Sequence, residues 1–294
     1  AHMCQTQAGT QACPYKKMPP CMNAPRPQRA STLRAMNRTR TYATEAIVMR
    51  RDDYGEADRL VTLLTPAHGK LRVLAKGARK LTSRKAGHIE LFTRTQLLLA
   101  RGRTFDLITQ AELIESHRPL REDVQRGALA HYLCELTDRF APEGSDAAAL
   151  YELLIEGLGR LCRARDPRLV ARHFELRLLT LEGYRPELFR CARSGATLDV
   201  DDRREEPVAF SPSEGGVLSA AAALQAHDVF RLSRSGLALL RALQTQPLEA
   251  VQALDLSREL HEHIERALQI YISYILESRP RTTAFLKQLE REMR

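Results

Sequence analysis

Residues 58–85 read DRLVTLLTPAHGKLRVLAKGARKLTSRK, and no other stretch limits the fold as much. Two apolar runs, 59–65 and 70–76, flank Pro66, Ala67, His68 and Gly69, whose turn chemistry joins them as a β-hairpin. In the second run Leu71, Val73 and Ala75 alternate with Lys70, Arg72, Leu74 and Lys76, so one face is apolar and the other mostly basic. A loop then carries Arg79, Lys80, Arg84 and Lys85 with no acid among them, between Gly77 and Gly87. A basic loop hung on a hairpin suits a polyanion, because lysine and arginine neutralise phosphates and release counterions. The competing reading is an ordinary solvated face, which a lone run of charges would favour. The two glycines fit either a clamp that orders on its ligand or plain turn geometry.

Charge is distributed unevenly along the 294 residues. Residues 1–43 hold seven Lys/Arg and no Asp/Glu, and residues 44–103 hold thirteen against six. The whole chain is +9, so the remaining 191 residues are net −5. The basic character therefore belongs to the N-terminal tail and the first third, which points to an anionic partner for that part. Residues 1–40 are rich in Pro, Gln, Thr and Arg and read as a disordered basic leader. Ala1, His2 and Met3 look like a cloning remnant, with Met36 a candidate native start. The six cysteines form no C-x-x-C pair and no disulfide framework. No apolar run reaches membrane-spanning length and no signal peptide is visible, so the expectation is a cytoplasmic protein with no membrane partner.

Beyond the hairpin, 44–51, 90–100 and 105–114 also read as strands, with Gly102 turning the last two between Arg101 and Arg103. Five short strands in about 70 residues suit a small closed barrel better than an open sheet with long edges. An oligonucleotide-binding (OB) barrel is one candidate; periodicity fits an SH3-like barrel equally. Arg94, Arg101 and Arg103 would extend the basic strip of Lys70, Arg72, Lys76, Arg79, Lys80, Arg84 and Lys85 if the strands close as an OB barrel. Tyr54, Phe92 and Phe105 are the aromatic residues available for base stacking there, with Phe92 and Phe105 equally suited to a core.

After Pro119 the period becomes helical. Helices are expected over 123–140, from Ser145 or Asp146 to about 163, and over 168–182. The last of these has Asp166 as cap, Pro167 at its first position and Gly183 beyond its end. Further helices are expected near 218–226, 236–244 and 257–278, with Pro280 ending the last. The fold class is α+β: an OB-like barrel at 41–118, then an α-helical domain at 119–294 with an irregular insert at about 188–217.

This order of segments resembles the RecO recombination mediator family. The resemblance rests on EAIVMRRDDYGEADRLVTLLTPAHGKLRVLAKGARK (45–80), HFELRLLTLEGYRPELFRC (173–191) and FSPSEGGVL (210–218), and covers roughly 44–278. It implies an OB barrel and a helical bundle, binding of single- and double-stranded DNA, strand annealing, and a place at the nucleoid. It also implies RecR and single-stranded DNA-binding protein (SSB) as partners in loading recombinase. Arg172, Arg177 and Arg185 on or beside the third helix would receive the acidic C-terminal tail of SSB. Some family members hold zinc with two cysteine pairs, which would fall at Cys191 with Ser194 and near Ser219 with Ala222. One thiol cannot supply the roughly four Cys/His ligands of a structural zinc site, so no metal and no cofactor are expected.

No other motif argues for chemistry. His261, Glu262 and His263 lack the H-E-x-x-H spacing, and positions i and i+2 of a helix face apart, so a solvated surface is expected. Asp199, Asp201 and Asp202, beside Arg203 and Arg204, read as an acidic turn. No phosphate loop and no catalytic triad is visible, so the chain is read as a non-enzyme acting without ATP. The alternative function is a protein–protein adaptor whose basic barrel face meets an acidic protein.

Overall fold

The computed structural model describes residues 40–80, 82–198 and 206–292. The basic leader up to residue 39 and the acidic turn at Asp199, Asp201 and Asp202 lie outside the described residues.

The first elements are β1 (Thr41–Tyr54), β2 (Asp58–Thr65), β3 (Gly69–Ala75), β4 (Arg94–Ala100) and β5 (Asp106–Glu115). They close into a barrel in the order β1-β2-β3-β5-β4, with β4 pairing back onto β1. β1 serves both neighbours because it is long: 41–47 pair with β4 and 47–54 with β2, with a register shift between Val48 and Arg50. Such a bulge bends a strand from one pairing to the next. β3 runs parallel to β5 at Val73–Asp106 and Leu74–Leu107, and this pair closes the circle. The result is an OB-type five-stranded barrel. Its interior is the alternating set expected of two-residue periodicity: Val61, Leu63, Val73, Ala75, Leu97 and Leu99, with Ala46, Val48 and Ile108.

One strand is shorter than its sequence suggests. The extended run expected over 90–100 begins only at Arg94. Phe92 has φ +67, a left-handed conformation that costs an L-residue about 1–2 kcal/mol. The turn is kept because it carries the Phe92 ring out of the barrel and against His131, with ring centroids 4.9 Å apart. The ring is 1 % exposed, and burying an aromatic side chain outweighs the backbone cost.

The second part contains α1 (Pro119–Glu122), α2 (Val124–Phe140), α3 (Ala148–Arg163), α4 (Pro167–Leu181), α5 (Ala220–Ala223), α6 (Arg234–Thr245), α7 (Leu248–Gln252), α8 (Arg258–Ile275) and α9 (Thr282–Glu292). Side-chain caps start several of the longer ones, whereas α3 has Ala147 at its cap position, without a side-chain cap, and not the expected Ser145 or Asp146. Asp166 accepts from the backbone N–H groups of Arg168 and Leu169, Ser233 from Gly236 and Ser257 from Leu260. The helix expected to end at Pro280 ends at Ile275, and Pro280 precedes α9, which periodicity had not marked.

The irregular insert is in part a sheet. β6 (Val208–Ser211), β7 (Gly216–Leu218) and β8 (Phe230–Leu232) form a three-stranded sheet in the order β7-β6-β8. Strands of three or four residues are too short to leave a readable alternation. The helix expected near 218–226 is reduced to the single turn α5. His261 and His263 do face apart, but neither is a solvated surface residue. His261 Nε2 lies 3.0 Å from Asp166 Oδ2 and ties α8 to the cap of α4. His263 Nε2 accepts the Ser233 N–H at 2.9 Å, at the start of α6.

Barrel and helices share one apolar core. Ile47, Met49, Leu64 and Phe92 belong to the same buried cluster as Leu129, Leu133, Tyr151 and Phe174. The β2–β3 turn docks on the segment joining α2 and α3. There Lys70 N donates to Pro142 O, Gly144 N to His68 O and Ala147 N to Pro66 O. Gly69 sits in this seam with φ +59, and a Cβ there would lie 2.3 Å from Pro142 O. Only glycine meets both conditions. Gly69→Ala is therefore expected to destabilise the fold by about 2 kcal/mol or more. A urea midpoint within about 0.2 M of the unaltered chain, at equal slope, would contradict the seam.

Candidate nucleic-acid interface

The open face of the barrel is built by register. Arg50 lies opposite Thr62, and Thr62 opposite Arg72, so the three share one side of β1, β2 and β3. Arg50 and Arg72 are exposed. Lys76 follows on the same side of β3 as Arg72 by two-residue alternation and is also exposed. The sequence pattern of β3 thus gives the right face, and the register adds Arg50 from β1, which the sequence reading passed over.

Two loops flank this face. Tyr54, at the end of β1, and Phe105, just before β5, meet edge to face with centroids 6.2 Å apart. The Arg72 guanidinium lies 5.8 Å from the Phe105 ring centre. On β1 the Arg101 guanidinium covers the Tyr42 ring at 5.0 Å, and His68 packs against the same ring at 5.1 Å. Asp106 holds this corner together: it accepts from the Tyr42 hydroxyl at 2.6 Å and from Gly102 N at 3.0 Å. Gly102 is required by the turn, since a Cβ would sit 1.9 Å from Phe105 O. Of the three aromatic residues considered from sequence, Phe92 is core, and Tyr54 and Phe105 stand at the barrel mouth. Tyr42 and His68 were legible only once β1 and the β2–β3 turn were placed side by side.

The basic residues separate into two groups. Arg72, Lys76, Lys80, Arg84, Arg101 and Arg103 are exposed. Among the described residues, Lys76, Lys80, Arg84 and Arg103 have side chains without a hydrogen-bond or ion-pair partner. The others are held by the protein. Lys70 Nζ donates to Asp138 O at 2.8 Å and lies 3.4 Å from Asp138 Oδ1, turned toward α2. Arg94 donates to Glu45 Oε2 at 2.7 Å, and the Tyr151 hydroxyl of α3 donates to the same oxygen at 3.2 Å. Lys85 Nζ donates to Ile108 O at 2.9 Å. Arg79 reaches Gly55 O and Asp53 Oδ2, 3.2 and 3.4 Å away. The β3–β4 loop is stitched by successive turns, with Gly77 N donating to Asp58 Oδ1 and Ala78 buried in the barrel core.

Residues 36–117 match the family described as Recombination protein O N terminal, and residues 121–284 the one described as Recombination protein O C terminal. A DNA repair protein RecO of Roseiflexus sp. (strain RS-1) is 43 % identical over 257 residues, 87 % of this chain and 89 % of the relative. One of Desulforudis audaxviator (strain MP104C) is 39 % identical over 248 residues, 84 % of this chain and 97 % of the relative. The chain belongs to the RecO family. That membership supports a role in DNA repair.

The positions where RecO relatives were expected to carry zinc ligands do come together. The Cys191 thiol lies 3.6 Å from the Ser219 hydroxyl, and Cys191 packs with Leu218 and Ala222 in a small buried cluster. Burial pushes this thiol up, but hydrogen bonds from Ser194 and Ser219 outweigh it and bring it down to about 6. One thiol, two hydroxyls and a methyl group do not fit a zinc ion. The segment is joined instead by backbone bonds such as Ala192 N to Val217 O and Glu187 N to Gly215 O.

The three arginines assigned to a RecO partner surface part company. Arg177 and Arg185 line one groove of about 840 Å³ between α3, α4 and the end of α6. Arg177 pairs with Glu156 at 3.1 Å, and Arg185 donates to Gln244. Arg172 is not on that surface; it is 2 % exposed, and its guanidinium lies 3.0 Å from Glu175 inside the helical core. The Tyr132 hydroxyl donates to the same carboxylate at 2.5 Å. A helix-surface reading failed here because α4 is buried on more than one side.

Burial pushes the Glu175 carboxyl up to about 7, against the opposing pull of Arg172 and Tyr132. A folded-state value above the ordinary carboxylate range stabilises the protonated fold. This contribution is complete below about pH 4 and is lost as pH rises through 7. Asp166 and Glu135, held low by their hydrogen bonds, act in a separate and more acid window. Between pH 5 and 8 the melting temperature of the unaltered chain is therefore expected to fall relative to Glu175→Gln. Parallel melting curves for the two proteins across that range would refute it.

Proposed function

We propose that this chain is a recombination mediator that binds single- and double-stranded DNA on the open face of its barrel. It anneals complementary strands without ATP and, with RecR, helps load recombinase onto SSB-coated DNA. The observation that carries the reading is the pairing of cations with aromatic rings at the barrel mouth: Arg72 with Phe105, which meets Tyr54, and Arg101 with Tyr42, which meets His68. Single-strand binding in OB barrels draws on these two terms, phosphate neutralisation and sequence-tolerant stacking.

Phosphates would track along Arg50, Arg72, Lys76, Lys80 and Arg84, with Arg101 and Arg103 on the flanking loop. Lys70, Arg79, Lys85 and Arg94 act one step back, by fixing the barrel and its loops. Annealing needs no covalent step. It needs the mutual repulsion of two strands reduced while their bases stay free to pair. The chain therefore acts as a binding protein, not an enzyme. The groove lined by Arg177 and Arg185, with Leu181 exposed beside them and Glu152 and Glu156 also in its wall, would receive the C-terminal tail of SSB.

The test is fluorescence anisotropy of a labelled single-stranded oligonucleotide over a salt series, with the full chain and with Arg72→Glu/Lys76→Glu/Lys80→Glu. The unaltered chain should lose affinity with a log–log slope of roughly −0.7 per phosphate contacted. The triple variant should bind at least tenfold more weakly and with a shallower slope, while retaining the SSB tail. Equal binding by both proteins would remove the barrel face from the reading. Failure of the unaltered chain to bind at low salt would favour an adaptor whose basic face meets an acidic protein.

A further inference from the structure

Annealing brings two polyanions to one protein, and the barrel mouth accounts for one of them. A second cationic site lies in the helical part. Between α8 and α9 runs a groove of about 700 Å³ lined by Arg266, Arg279, Arg281 and Lys287, with no carboxylate in its wall. All four are exposed, and among the described residues none of their side chains has a hydrogen-bond or ion-pair partner. Some arginines of the helical part are paired, as Arg160 is with Glu156 and Glu249, and Arg193 with Glu214. Four unpaired cations around one depression concentrate positive potential there, which favours an anionic ligand.

The groove is preformed. Glu135 of α2 accepts from Arg281 N at 2.7 Å, from Thr282 N at 2.8 Å and from the Thr282 hydroxyl at 2.6 Å, which pins the start of α9. Arg139 donates to the Ser278 hydroxyl at 2.6 Å and to Arg279 O at 3.3 Å, which pins the α8–α9 turn on the same helix. These bonds use backbone groups of Arg279 and Arg281, so both guanidinium groups remain available.

The lining favours a phosphate backbone. Arg281, the residue before α9, and Lys287 on it are six residues apart, about 9 Å at helical rise. One strand of DNA carries a charge about every 3.4 Å, so that span covers two or three phosphates. No aromatic ring lines the groove, so stacked bases have no platform there and a strand would be held by its phosphates.

We propose that the α8–α9 groove is a second nucleic-acid site, which grips a strand by its phosphates while the barrel mouth holds the other. This rests on the DNA-binding reading of the barrel. Arg266→Glu/Lys287→Glu changes two exposed side chains and should leave the melting temperature unaltered. Its single-strand affinity at the barrel should stay within twofold, while the annealing rate of complementary oligonucleotides falls at least tenfold. In the Arg72→Glu/Lys76→Glu/Lys80→Glu background, the same pair should weaken the residual binding further and flatten its salt slope by roughly 1.4. Arg266→Lys/Lys287→Arg should restore annealing. Annealing within twofold of the unaltered chain would overturn the second site while leaving the barrel reading intact. So would loss of an acidic, apolar-ended peptide from the charge-reversed pair with annealing unchanged, which would make the groove a peptide site. If the unaltered chain binds no oligonucleotide at about 50 mM salt, the barrel reading fails first and the second site with it.

Discussion

Fusion of the barrel to the helices is the constraint on which the rest depends. Ile47, Met49, Leu64 and Phe92 are barrel residues by position, yet they are buried in the helical core. Closing that contact removes one side of the barrel from solvent and leaves the β1-β2-β3 face and its flanking loops open. The seam at Gly69 and Pro142 adds a backbone approach that any side chain would prevent. A face that is open because its opposite is welded shut stays in one place, which is what a binding surface needs.

The same seam decides what each charge does. Lys70, Arg72 and Lys76 alternate on one strand, and the sequence treats them alike. The end of β3 that carries Lys70 is covered by α2, so Lys70 is drawn to Asp138, while Arg72 and Lys76 face water. Arg94 is likewise taken up by Glu45 and Tyr151 at the joint with α3. Two cations have thus become structural ties. Arg72 and Arg101 are instead set beside aromatic rings, where a guanidinium is held in place without being neutralised.

The degenerate knuckle shows a third use of tertiary packing. Cys191, Ser194, Ser219 and Ala222 keep the approach that a metal would enforce, but hydroxyl hydrogen bonds and a small apolar cluster hold it. The neighbouring three-stranded sheet, tied to Glu187 through Gly215 and Val217, supplies the remaining restraint. Metal binding couples strongly to folding in small domains. A segment attached to a domain that already has a large core of its own has less need of it.

Much of the fold was legible before any coordinates. The apolar run at 59–65, the turn chemistry at 66–69 and the alternation in 70–76 specified β2, β3 and the faces of β3. Asp166, Pro167 and Gly183 bracketed α4. The unbalanced charge located the basic surface in the first third. These are local signals, carried by residues within a few positions of one another. What the sequence could not supply was long-range. The left-handed turn at Phe92 is paid for by contact with α2. The sheet of β6, β7 and β8 is too short to show its period. Burial of Arg172 follows from α4 lying in the middle of the helices. The partners of Tyr42, Arg101 and Phe105, and the cations gathered between α8 and α9, follow from elements that meet only in three dimensions. The sequence by itself determined which side chains are charged and which faces are apolar. Only the tertiary structure decided which of those charges find a partner, because pairing depends on distance and burial and not on position along the chain.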